Sequence, residues 1–91
     1  MTSYLYVAWF RDTSMLPDDQ DYEWPACIWI LATSDTGAIM WGDHLGMRYA
    51  ARKPTQLFLG SYLDLDTEFD SQGDTPVVRF GEYASNEVIG W

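Results

Sequence analysis

Two segments of this chain, residues 4–11 (YLYVAWFR) and 26–33 (ACIWILAT), carry apolar or aromatic side chains on both of the alternating faces a strand presents. A half-exposed strand would place a polar residue at every second position. Apolarity on both faces is the pattern of an interior strand, covered from two sides. The chain therefore has to build a layered structure around a sheet. Its 91 residues suffice for one domain, 1–91. A chain of this size buries only about two-thirds of its unfolded surface, so its stability margin is thin. Bulky side chains compensate, since five Trp, six Tyr and four Phe are available and each ring buries roughly 150–250 Å².

The remaining pattern completes an α+β arrangement. Residues 12–25 hold Pro17, Pro25 and five acids, and read as a long loop. Ser34, Asp35 and Thr36 supply N-cap chemistry for a helix over 35–52. Ala38, Trp41, Leu45 and Tyr49 form its apolar stripe. Arg48, Arg52 and Lys53 complement its C-terminal dipole, and Pro54 stops it. Gly42 and Gly46 lie beside the stripe. Each costs about 1 kcal/mol of helix propensity, which close approach to an aromatic-rich sheet would offset.

Residues 56–69 alternate, with Leu57, Leu59, Leu63, Leu65 and Phe69 at odd positions and Asp64, Asp66 and Glu68 at even ones. They predict a strand from 57 to about 65, with the alternation itself continuing to 69. A turn at 71–74 and a last strand over 76–84 would close an antiparallel hairpin with it. Residues 85–91 predict a short turn or helix, with Trp91 folding back. The expected architecture is a four-stranded mixed sheet, ordered strand, loop, strand, helix, strand, strand, with the helix on one face. It is related at most to the ferredoxin-like arrangement. One helix covers one face, so the second face is either covered by residues 12–25 and Trp91 or is a contact surface.

Charge narrows the function classes. Fourteen acids against five cations give a net charge of −9. Such a surface attracts cationic partners and repels nucleic acid and anionic membrane. The first residues, MTSY, lack the positive region of a signal peptide. No apolar run approaches the roughly 18 residues that cross a bilayer, so a cytoplasmic location is the expectation. The single cysteine, Cys27, allows no internal disulfide. It lies in an apolar strand, which predicts a buried, inert thiol.

Two acidic runs are the candidate partner-binding residues. Asp18, Asp19, Asp21 and Glu23 are interleaved with Tyr22 and Trp24, a mixture that suits a basic, partly apolar protein patch. Asp64, Asp66, Glu68 and Asp70 would form a ladder at about 6.6 Å intervals if extended. Residues 64–75 superficially resemble a calcium loop. However, Phe69 stands where the sharp turn needs Gly, and Thr75 where a bidentate Glu belongs. No catalytic residue, metal ligand or cofactor site is marked. His44, the one histidine, shares a helix ridge with Arg48 and Arg52 and has no nucleophile in view.

The reading that follows is a non-catalytic binding protein of inhibitor or immunity type. It would mask a basic surface of a partner, such as a toxin or a nucleic-acid-processing enzyme. The alternatives are a dimeric accessory domain joined through an uncovered sheet face, and a small enzyme or ligand-binding domain using His44. The leading reading requires both acidic runs to face water rather than pair with Arg48, Arg52 and Arg79.

Overall fold

The computed structural model describes residues 1–69 and 73–83. Its elements are β1 (Thr2–Asp12), β2 (Glu23–Ala32), α1 (Asp35–Ala50), β3 (Gln56–Asp64) and β4 (Val77–Arg79). The sheet order is β3-β1-β2-β4. The two strands that are apolar on both faces are therefore the two inner strands, as their sequence requires. β1 pairs antiparallel with β2 and with β3, while β2 and β4 run parallel. β2 and β3 both oppose β1, so they are parallel to each other with β1 between them. The unit β2-α1-β3 is thus a split crossover. The α+β class and the four-stranded mixed sheet with one helix are as expected.

Alternation sorts the inner strands. Tyr6, Ala8 and Phe10 of β1 and Ile28, Ile30 and Ala32 of β2 form the core with Ala38, Leu45 and Ala50 of α1 and Val78 of β4. Around Phe10 the core is aromatic. Tyr49 meets it edge-on at 5.1 Å between centroids, and Phe58 and Trp24 lie at 5.9 and 6.0 Å. Val7 and Trp29 belong to the opposite face and are also buried.

The helix begins where its chemistry predicts. Ser34 Oγ accepts a hydrogen bond from the Gly37 amide at 3.1 Å, with Asp35 in the first turn and Arg48 in the last. Ala50 ends it, two residues short of the expected end. The buried stripe is Ala38, Gly42, Leu45, Gly46 and Ala50, with Trp41 and Tyr49 only partly buried at its flanks. The glycines are thus the centre of the contact rather than its border. A Cβ on Gly42 would stand 2.3 Å from the Tyr6 ring, and one on Gly46 would stand 3.0 Å from Phe58. The helix lies this close to the sheet because neither residue has a side chain.

Three strand expectations are corrected. β2 starts at Glu23 rather than Ala26, so Trp24 and Pro25 are strand residues. Pro25 is tolerated because β4 covers only Trp29 to Leu31, which leaves β2 unpaired on its outer side at Pro25. The alternation of 56–69 is not one continuous strand. β3 ends at Asp64, and its register shifts opposite Trp9 and Phe10, with Phe58 facing Phe10 and Gly60 facing Trp9. Leu59 is the additional residue of this bulge. Leu57 therefore shares a face with Trp9, while Leu63 packs into the core with Phe58. Leu57 and Leu63, in step by sequence alternation, point to different faces.

The third correction concerns the last strand. β4 spans only Val77–Arg79 and pairs with β2 on the far side of the sheet, not with β3. The Trp29 amide donates to Pro76 O and the Phe80 amide to Leu31 O, both at 2.8 Å. Val78, fully buried, fills the core of the edge beside Ile30. The connection from Leu65 to Pro76 is long enough to cross the sheet, so the long-looped hairpin with β3 loses to burial of Val78 beside β2. Phe69, on this connection, meets Trp29 edge-on at 5.1 Å on the face away from α1. The second face is thus covered in part by this crossing segment, not by residues 12–25. Residues 71 and 72 of the expected turn, and residues 84–91 with Trp91, lie outside the described residues.

Gly42→Ala tests the close approach. Helix propensity alone predicts a gain of about 1 kcal/mol. The Tyr6 ring is buried and held at its hydroxyl, so overpacking should dominate and destabilise by about 1–3 kcal/mol in urea unfolding. A variant as stable as the parent would show that the ring yields freely.

Candidate functional site

The acidic loop is a wide β1–β2 connection pinned at its base. The Asp12 amide donates to Tyr22 O, and the Thr13 amide to Thr55 O, each at 2.8 Å. Asp12 is buried, and its carboxylate accepts from the Ser14 hydroxyl at 2.6 Å and the Ser14 amide at 3.0 Å. These hydrogen bonds hold its pKa below the usual carboxylate value. Past this base, Asp18, Asp19 and Asp21 are exposed. Asp19 shapes the loop by accepting from the Asp21 amide at 2.9 Å.

Glu23 is engaged by Arg11, which donates to it at 2.8 Å and also lies 5.3 Å from the centre of the Tyr22 ring. Trp24 turns inward against Phe10. Of the six residues expected in this patch, Asp18, Asp19 and Asp21 are open to a partner. Tyr22 and Glu23 are shared with Arg11, and Trp24 belongs largely to the core. Asp18, Asp19, Asp21, Asp66 and Glu68 form no ion pair among the described residues.

The second acidic run is not a ladder. Asp64 closes a turn, accepting from the Asp66 amide at 3.0 Å, the Thr67 amide at 3.3 Å and the Thr67 hydroxyl at 2.9 Å. Those bonds lower the pKa of Asp64, the Thr67 hydroxyl contributing most. The chain bends there because a short carboxylate can satisfy the amides that follow it. Asp66 and Glu68 are exposed beyond the turn, and Asp70 lies outside the described residues.

The two runs do not meet. Leu57 pairs with Arg11 near the loop, whereas Asp64 pairs with Leu5 at the other end of β3. The separation is about 23 Å at the rise per residue of a strand. Between them, on the face away from α1, lie Trp9 (37% exposed), Leu57 (44%), Leu59 (40%) and Tyr62 (51%). This apolar strip was the part of the site that alternation alone could not locate. Its signal was the two-faced apolarity of β1, but the bulge at Leu59 hid which leucines joined Trp9.

Cys27 borders the strip, since it pairs with Val7, two residues from Trp9 on the same face. It is exposed, contrary to expectation, because the crossing segment reaches Trp29 but leaves this end of β2 open. Desolvation first, and the nearby charge of Asp64 second, raise its pKa and disfavour the thiolate.

The helix flanks carry two further clusters. On one, Asp43 accepts from the Tyr6 hydroxyl at 2.7 Å and from Ser61 Oγ, which ties β1, β3 and α1 together. On the other, His44 stacks on Trp41 and its Nε2 lies 2.9 Å from the Tyr83 hydroxyl. Arg48 sits over the Tyr83 ring at 4.6 Å, and Trp41 Nε1 donates to Glu82 O at 3.1 Å. Gly81, at φ +85°, is the turn that brings Glu82 and Tyr83 back to the helix. The expected ridge of His44 and Arg48 is therefore a docking place for the chain after β4.

No cluster of three or more His, Cys, Asp or Glu side chains suited to a metal occurs among the described residues. No helix among them is long and apolar enough to cross a membrane. Comparison with protein-family models, curated proteins and solved structures found no match.

The Tyr6 cluster carries a pH prediction. Burial first, and then Asp43, raise the phenol pKa far above its ordinary value of about 10. A raised pKa stabilises the fold below the unfolded value and is lost as pH climbs above it. Unfolding monitored from pH 7 to 12 should show stability falling above about pH 10. Tyr6→Phe should remove much of that fall, at a cost of about 1–2 kcal/mol at neutral pH for the lost hydrogen bond to Asp43. Identical alkaline limbs in both proteins would refute the assignment.

Proposed function

We propose that this chain is a non-catalytic binding protein whose partner is a protein with a basic, partly apolar surface. One observation carries the reading. An exposed apolar strip of Trp9, Leu57, Leu59 and Tyr62 lies between two groups of exposed acids, Asp18, Asp19 and Asp21 at one end and Asp66 and Glu68 at the other. That is the anatomy of a protein interface, with an apolar centre and a charged rim. A net charge of −9 supplies long-range attraction for a cationic partner. Masking a basic active site or nucleic-acid channel, as an inhibitor or immunity protein does, is the specific form this reading takes.

The division of labour follows from physics. Rim acids act on the encounter, so they set the association rate and its salt dependence. Trp9, a rigid aromatic at the centre, sets the dissociation rate. Self-association through the same strip would bring two copies of charge −9 together, and the partner reading is preferred for that reason.

The immobilised chain should retain cationic proteins from a lysate at low salt and release them as salt rises. Changing Asp18, Asp19 and Asp21 together to Asn should move elution to lower salt and slow association, with folding intact. Trp9→Ala should weaken a retained partner by about thirtyfold, a loss of about 2 kcal/mol, through faster dissociation. Retention of the same proteins, at the same salt, by both variants would overturn the proposal.

A further inference from the structure

Among the described residues, β3 ends the sheet order and pairs only with β1, so its outer edge carries no further strand. It spans nine residues, QLFLGSYLD, and contains no Lys, Arg or Pro. Edge strands usually carry such residues to discourage a further strand from joining. The bulge at Leu59 interrupts the edge but leaves Ser61 to Asp64 in regular pairing with β1.

Beside this run, the first turns of α1 stand off the strand and leave an open groove of about 470 Å³. Its walls are Ile39 and Met40 from the helix and Tyr62, Leu63 and Leu65 from the strand side, with Asp35 at the rim. Met40 and Leu65 are 62% and 76% exposed. Around this apolar lining the charges are of one sign. Asp35 lies on the helix side, and Asp64 and Asp66 lie at the end of the strand. The helix cations Arg48 and Arg52 are at the far end of α1.

We infer that the β3 edge and this groove accept an extended cationic segment of the partner protein as an added strand. An apolar side chain of that segment enters the groove, and the Lys or Arg side chains on its other face meet Asp64 and Asp66. The inference rests on the functional reading above and names how the partner engages. Backbone hydrogen bonds to the edge supply affinity, and the alternate side chains supply selectivity. Charge decides between occupants. A second copy of this chain brings the same acidic rim to its own reflection, whereas a cationic strand neutralises it.

The test uses the full ¹⁵N-labelled chain and three synthetic peptides. One alternates valine and lysine, one alternates valine and glutamate, and one is the valine–lysine peptide fully N-methylated on its backbone. The valine–lysine peptide should slow hydrogen exchange of amides within Ser61 to Asp64. It should bind at least about tenfold more tightly than either control. Met40→Lys and Leu65→Lys, both at exposed positions, should each weaken it about tenfold or more without changing stability.

Shifts confined to Trp9 and the Asp18 to Glu23 loop, with β3 amides unchanged, would overturn the edge inference and leave the functional reading standing. Equal binding of the glutamate peptide would overturn the charge argument and with it this proposal. Concentration-dependent protection of β3 without peptide would assign the edge to a second copy instead. Binding of neither cationic peptides nor cationic proteins would remove the functional reading as well.

Discussion

The contact between α1 and β1 at Gly42 is the constraint on which the other features rest. The Tyr6 ring occupies the space a side chain at Gly42 would need, so the helix can seat only in this position. That seating brings Asp43 to the Tyr6 hydroxyl and to Ser61, and the one carboxylate then joins the helix to both the inner strand and the edge strand. It also fixes the flanks. Trp41 and His44 on one side receive the chain after Gly81. Ile39 and Met40 on the other are held away from β3, which leaves the groove there. A side chain at position 42 would lift the helix and loosen each of these arrangements together.

The sheet solves a covering problem with limited material. Its inner strands are apolar on both faces, but the chain has one helix. Part of the second cover comes from the chain after β3, where Phe69 meets Trp29, and Val78 is buried at the far edge. The crossing reaches only one end of that face. Trp9, Leu57, Leu59 and Tyr62 at the other end remain open to solvent. Exposed apolar surface of this kind is costly in isolation, and the acids at both of its ends oppose the approach of a second copy by like-charge repulsion.

Much of the fold was legible because local chemistry and global packing agree. Ser34 and Pro54 bracket the helix, the apolarity of residues 4–11 and 26–33 marks inner strands, and the two glycines announce a close approach. The errors share a different cause. Leu57, Leu59, Leu63 and Leu65 alternate as one strand would, and nothing local reveals that Leu59 is an additional residue opposite Trp9. Pro25 reads as a loop residue until the shortness of β4 leaves its side of β2 unpaired. The partner of β4 was set by a nonlocal competition that Val78 wins by burial. Within the candidate site, the exposure of Asp18, Asp19 and Asp21 followed from composition. The inward turn of Trp24, the bend at Asp64 and the separation of the two acidic runs required coordinates.

Pro25 has a further consequence for the way such sheets associate. It denies an amide to any newcomer along that margin of β2, and the three residues of β4 offer too little ladder to hold one. Among the described residues, β3 is therefore the border along which a strand could be added. Once the opposite border is occupied, no docking line is left for the next molecule. An assembly grown on the described sheet would thus be self-limiting.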